Sequence, residues 1–193
     1  DSTHFSGTVN EYPLDTSSTS IVRDNNKCIL CRRCVAACQK QQGVGVIGTN
    51  DRGFDTHIGC AFETTLANTS CINCGQCIVA CPVGALYERD DTQKVLDAIA
   101  DPEKHVAICT APSVRATLGE CFGYEVGTDV EGKMVAALRK LGGDYILDTN
   151  FGADMTIMEE ASELLERVIN SDAVLPQFTS CCPAWVKFAE TFY

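Results

Sequence analysis

Two matched cysteine runs constrain this chain more than any other feature. Residues 28–38 read CILCRRCVAAC and residues 71–81 read CINCGQCIVAC, each spaced C-x2-C-x2-C-x3-C. Soft, deprotonated sulfur ligands at this spacing are a ligand set for iron–sulfur clusters. Three cysteines of one tight loop converge on a cubane, and the fourth, a helical turn further on, reaches the other cluster. The spacing therefore predicts two 4Fe–4S clusters, one held by Cys28, Cys31, Cys34 and Cys81, the other by Cys71, Cys74, Cys77 and Cys38. Each run is incomplete alone, so both must fold as one unit. Disulfides would suit a small secreted chain, and nothing here looks like a signal peptide. Zinc would use paired C-x2-C knuckles rather than four cysteines per run.

Charge narrows the partners. The 193 residues carry a net charge of −11, which argues against nucleic acid and against anionic membrane surfaces. No apolar stretch approaches the length of a bilayer span. Lys27, Arg32, Arg33 and Lys40 gather around the first cysteine run, while carboxylates concentrate after Tyr87. A basic rim there would steer an acidic redox partner, although a solvated charged face fits the same residues. Thirteen cysteines without a secretory signal point to a reducing cytoplasm. Asp1 in place of Met, and an uncapped apolar pattern at Thr191-Phe192-Tyr193, suggest a piece of a longer chain.

The order of patterns predicts three segments. Residues 1–19, polar and Ser/Thr-rich, read as an entry segment or linker. Residues 20–90 read as an α+β ferredoxin-like two-cluster domain, with strands at 20–23, 44–47 and from Ala85, around two loop-plus-helix repeats. Residues 91–193 alternate helix and strand, as in an incomplete α/β domain with a parallel sheet. Helices are expected at 91–99, 113–122 and 132–141, then from an Asp154 cap through Arg167. Strands are expected at 105–109, 144–148 and 173–178. Ala111-Pro112-Ser113, Thr149-Asn150-Phe151 and Ser180-Cys181-Cys182 would all lie beyond the carboxyl ends of strands, where such sheets bind ligands.

Thr179-Ser180-Cys181-Cys182-Pro183-Ala184-Trp185 is the second informative run. Pro183 suits the first position of a helix, placing both thiols at a helix N-terminus that favours thiolate. Adjacent cysteines point in different directions, so one can ligate while the other does separate chemistry. By itself the pair leaves a metal or catalytic role and a structural one equally open.

The run resembles the first H-cluster signature of iron-only (FeFe) hydrogenases, usually TSCCPGW, with Ala184 in place of the commoner glycine. Residues 111–115 (APSVR) and 148–161 (DTNFGADMTIMEEA) resemble further segments of that family, in which a two-cluster ferredoxin domain likewise precedes the catalytic one. The resemblance implies an electron-relay and catalytic part of a hydrogenase, reversibly reducing protons to H2. It implies that Cys182 ligates the cubane half of the H-cluster and that Cys181 passes protons to the di-iron half. Pro112 and Ser113 would line the di-iron pocket, and Glu160, Glu163 and Arg167 would form a proton path. Their spacing puts those three on one helical face, as a solvated helix edge also would. The resemblance further implies an H-cluster completed by the remainder of the hydrogenase domain, in the same native chain or a second subunit. The redox partner would be a ferredoxin or an NAD-linked subunit. Competing readings are a two-cluster ferredoxin-type carrier, an iron–sulfur assembly protein and a sensory protein without turnover. Cys60, Cys109, Cys121 and Trp185 are expected in the core, and His57 is expected to be exposed.

Overall fold

The computed structural model describes residues 7–170 and 173–193. The first six residues of the expected entry segment lie outside these. The chain forms two compact units, one of the described residues up to Asp90 together with Ser180–Tyr193, the other Asp91–Thr179.

In the first unit, β1 (Ile21–Arg23) is followed by α1 (Arg33–Ala36), which runs on as a wider π-type turn over Ala37–Gln41. Next come β2 (Gly48–Asn50), β3 (His57–Gly59), α2 (Gln76–Ala80) and β4 (Leu86–Glu88). β1 and β4 pair antiparallel with Val22 opposite Tyr87, joining the start of the first repeat to the end of the second. β2 and β3 pair antiparallel with Thr49 opposite Ile58. The core between the repeats is Ile21, Ile47, Ile58, Leu66 and Leu86, all nearly inaccessible, with the cysteine loops packed around it. Burying aliphatic side chains of this size stabilises by about 1.5–3 kcal/mol each. Strand pairing begins at Gly48 rather than Val44, because the amides of Val44 and Gly45 are bound to the Cys38 carbonyl (3.0 and 3.2 Å). Part of the expected entry segment is hydrogen-bonded into this unit. Asp15 bridges Arg23 through both backbone and side chain, and Tyr12 exchanges two hydrogen bonds with Asn26.

In the second unit α3 (Thr92–Ala100) leads to β5 (Ala107–Thr110), α4 (Val114–Thr117), α5 (Glu131–Leu141), β6 (Tyr145–Asp148) and α6 (Thr149–Ile169). β5 and β6 pair in parallel with Ile108 opposite Ile146. Gly142, at φ +107, ends α5 in the left-handed conformation that a helix stop requires. α6 starts earlier than its sequence pattern predicts. Asp148 is its N-cap, its side chain accepting from the Asn150 amide, and Asp154 lies inside the helix. No strand forms at the described residues 173–178. Pro176 has no N–H to give a ladder, and the Val174 carbonyl is taken by Arg167 Nη1 at 3.2 Å. Among the described residues the parallel sheet therefore has two strands. Ile157, Met158, Leu165 and Val168 of α6 are all more than 60 % exposed, so the apolar face of this helix is unpartnered here.

α7 (Pro183–Phe192) belongs to the first unit, with Pro183 at its first turn and Cys182 as N-cap.

Candidate functional site

The cysteine loops share an unusual backbone. Leu30 and Arg32 in the first, and Asn73 and Gly75 in the second, all have positive φ (57, 60, 56 and 73°). These are equivalent positions of the repeat. Leu and Arg pay roughly 1–2 kcal/mol to sit there, and glycine alone does so freely. Alternating handedness of this kind turns successive amides inward to form an anion-binding concavity. Accordingly, Leu30 N–H points at Cys28 Sγ (3.4 Å) and Ala85 N–H at Cys81 Sγ (3.2 Å).

The sulfurs gather as two fours. Cys28, Cys31, Cys34 and Cys81 line one cavity, walled by Ile58, Val83 and Leu86. Cys38, Cys71, Cys74 and Cys77 line a second, walled by Ile21, Ile47 and Leu66. Each four takes three sulfurs from one run and one from the other. Burial pushes the Cys34 thiol up to about 11 and the Cys77 thiol up to about 12. Burial also raises Cys71. Cys81 goes the other way: burial raises it, but amides of Val83, Leu86, Ala85 and Gly84 outweigh that and favour the thiolate. Loading a cluster must displace protons from the raised thiols, the usual coupling of metal binding to pKa. Four converging sulfurs, apolar walls and amides aimed at sulfur suit a 4Fe–4S cluster in each cavity.

Cys182 lines a further cavity in the same unit with Cys74, Ile72, Gln42, Trp185 and Phe188. Its amide is bound to Ser180 Oγ at 3.0 Å, fixing the turn into α7. Cys181 and Cys182 are both exposed. Trp185, expected in the core, is 43 % exposed and borders this cavity.

In the second unit, Pro112 and Ser113 form the turn after β5, with Ser113 as N-cap of α4. Glu163 and Arg167 are an i, i+4 ion pair on α6 (2.6 Å). Glu160, one turn earlier, accepts a hydrogen bond from the Thr179 hydroxyl. Arg115 went unassigned in the sequence and proves to be a clamp. Its guanidinium reaches Glu131 at the start of α5 (2.9 Å) and Asp148 at the end of β6 (2.8 Å). The Asn150 amide and then Arg115 hold the Asp148 carboxyl below the usual range. The sequence offered Arg115 only as the last residue of the APSVR segment.

The remaining cysteines divide. Cys60 is fully buried as expected, while Cys109 and Cys121 are exposed, and Cys109 Sγ lies 2.9 Å from Thr149 Oγ1. His57 is buried rather than exposed.

This is a ferredoxin-type cysteine scaffold followed by a parallel α/β unit. Comparison with known proteins agrees with it. Residues 104–193 match the C-terminal domain of the iron-only hydrogenase large subunit, and residues 18–87 match the ferredoxin-like domain of NADH-quinone oxidoreductase subunit 3. The chain belongs to the iron-only hydrogenase family, corresponding to an N-terminal portion of its catalytic subunit. It is 49 % identical over 98 % of its length to the NADP-reducing hydrogenase subunit HndD of Solidesulfovibrio fructosivorans, covering 33 % of that protein. It is 49 % identical over 93 % of its length to iron hydrogenase 1 of Clostridium pasteurianum, covering 31 %. The periplasmic [Fe] hydrogenase large subunit of Nitratidesulfovibrio vulgaris is 58 % identical over 43 % of the chain, covering 20 % of that protein. The chain thus spans about a third of the length of the first two.

Proposed function

We propose that this chain is the electron-relay part, and a portion of the catalytic part, of an iron-only hydrogenase that interconverts protons and H2. The observation that carries this reading is the cavity shared by Cys74 and Cys182. It supports an order in which the cluster held by Cys38, Cys71, Cys74 and Cys77 lies next to the active-site cubane ligated by Cys182. The cluster held by Cys28, Cys31, Cys34 and Cys81 then faces the donor, since Cys31 and Ile29 are exposed at its edge. When bound, the ferredoxin-type clusters supply one-electron storage and the H-cluster supplies the centre at which hydrogen is made or split.

The chain's own residues would do the rest. Cys182 holds the active-site cluster at the N-terminus of α7. Cys181 carries and releases a proton at Sγ. Pro112 and Ser113 line the di-iron pocket. Glu160, Glu163 and Arg167 relay protons along α6, where the ion pair with Arg167 holds the Glu163 side chain in place. The exposed apolar face of α6 fits burial against the remainder of the hydrogenase domain. The redox partner is proposed to be a ferredoxin or an NAD-linked subunit. A cytoplasmic location fits the free thiols, and among the described residues no helix is long and apolar enough to cross a membrane.

The test is made in the native hydrogenase carrying this sequence. Cys182→Ala should prevent assembly of the active-site cluster. Cys181→Ala should leave its infrared carbonyl and cyanide bands in place while H2 turnover falls by about 10²–10⁴-fold, the weight of a positioned acid–base group. Wild-type turnover in Cys181→Ala would end this division of roles.

A further inference from the structure

Between the two cysteine runs, and apart from both sulfur sets, the chain brings Asp51, His57 and Glu63 together with one ligand-capable atom of each within 4.8 Å of the others. The hairpin of β2 and β3 does this, since Asn50 is opposite His57 and Asp51 follows directly. The turn over Ala61–Glu63 then folds back across β3. The His57 side chain is 11 % exposed, and both carboxylates are 61 % exposed. One flank of the cluster is protein and the other is open to water.

The hydrogen bonds specify what the centre must receive. His57 Nδ1 lies 2.9 Å from the Asp55 carbonyl oxygen. A carbonyl only accepts, so Nδ1 carries the hydrogen. Nε2 then faces Glu63 Oε2 at 3.1 Å. With a neutral ring, both atoms offer lone pairs to the same space, and a proton or a metal cation must lie between them. Two ligand atoms each about 2.1 Å from a metal ion are themselves roughly 3–3.5 Å apart, which the pair already satisfies. Asp51 supplies a second carboxylate, one ligand-capable atom of each of the three residues lying within 4.8 Å of the others.

Both donors are braced from behind. Glu63 Oε1 accepts from Asn50 Nδ2 at 2.6 Å, and the same amide is anchored on the Cys60 carbonyl at 2.7 Å. Asn50 reaches this position because residue 59 is glycine; a Cβ there would meet Asn50 Nδ2 at 2.6 Å. A ring N–H bound to a carbonyl and a carboxylate oxygen held by an amide are the supports that orient metal-ligating histidines and carboxylates.

We propose that Asp51, His57 and Glu63 form a binding site for one divalent transition-metal ion of the zinc class, separate from the iron–sulfur cysteines. One imidazole and two carboxylates suit zinc, manganese or ferrous iron and disfavour soft ions that prefer thiolate. The two carboxylates balance the charge of a dication, and water completes its coordination on the open flank. The bound ion ties β2, β3 and the following turn together. Ile58, next to His57, walls the first sulfur cavity, so the ion would stiffen that wall. The site is independent of the hydrogenase reading and would exist whether or not the chain turns over H2.

Zinc is the probe, added to anaerobic, cluster-loaded protein. Equilibrium dialysis should find one zinc per chain, and zinc-edge X-ray absorption should show nitrogen and oxygen neighbours at about 2.0–2.2 Å without sulfur at about 2.3 Å. Asp51→Asn and Glu63→Gln, both at exposed side chains, should each weaken binding by roughly tenfold or more while iron content stays constant. His57→Ala should abolish it. Saturable zinc binding that is unchanged in Asp51→Asn and Glu63→Gln, zinc bound through sulfur, or no binding to the wild type would each overturn the site. The last outcome would leave His57 as a plain imidazolium–carboxylate pair.

Discussion

Cys74, in the second cysteine loop, and Cys182, the N-cap of α7, line the same cavity of the first unit. The two lie far apart in sequence and in different parts of the motif pattern. α7 therefore belongs with the ferredoxin-like repeat. Burial raises the Cys71 thiol, and the positive charge of Lys187 on α7 offsets only a small part of that. Under the proposed function, an electron leaving the second sulfur set would meet Cys182 across this cavity.

Iron content tests the crossed sulfur sets. The wild type should carry about eight iron atoms as two cubanes. Cys81→Ala should perturb the cluster anchored by the first run, and Cys38→Ala the cluster anchored by the second. Electron paramagnetic resonance of the reduced variants reads which signal changes. If Cys81→Ala alters only the signal of the cluster anchored by Cys71, Cys74 and Cys77, the crossed assignment is wrong.

Ile21 is 2 % exposed and walls the cavity of Cys38, Cys71, Cys74 and Cys77. Ile21→Ala should cost about 2–5 kcal/mol through lost burial and an unfilled space. Denaturant unfolding under anaerobic conditions measures it. The cluster behind the thinned wall should also be lost faster in air than in the wild type.

Arg115 joins α4 to the start of α5 and the end of β6 through two ion pairs. Arg115→Ala should lower the thermal unfolding midpoint. Arg115→Lys should recover only part of the loss, because a point charge cannot span two carboxylates as the planar guanidinium fork does. A wild-type midpoint in Arg115→Lys would show that the fork geometry is unimportant.

Asp148 should titrate low. The Asn150 amide, and after it Arg115, stabilise its charged form. Its folded pKa lies below the unfolded value of about 3.9. Its contribution to stability is therefore complete above that value and is lost as pH falls through the folded pKa. Carboxyl-carbon NMR should place the Asp148 midpoint below that of an ordinary aspartate, and Arg115→Ala should move it upward.

Glu160→Gln keeps the shape of the side chain that accepts from the Thr179 hydroxyl but cannot relay a proton. In the native hydrogenase it should slow turnover by about 10²-fold or more without changing iron content. Unchanged turnover would return Glu160 to the role of a solvated helix residue.

Local spacing alone made the sulfur chemistry legible. C-x2-C-x2-C-x3-C is a short-range pattern, and three thiols within one loop have few ways to converge. Helix ends were legible for the same reason, since Pro183 and Gly142 act on their own neighbours. Resemblance of short segments carried the family. Only tertiary structure decided the rest, because each outcome depends on competition between distant groups. The Val174 carbonyl went to Arg167, and the lone amide-less Pro176 could not hold a strand. Asp148 rather than Asp154 capped α6 because β6 delivers the chain directly into that helix. Leu30 and Arg32 adopt a left-handed backbone that their side chains disfavour, which residue type alone would not have indicated. His57 is buried between two carboxylates because hairpin register, not composition, sets which side chains meet across a pair of strands.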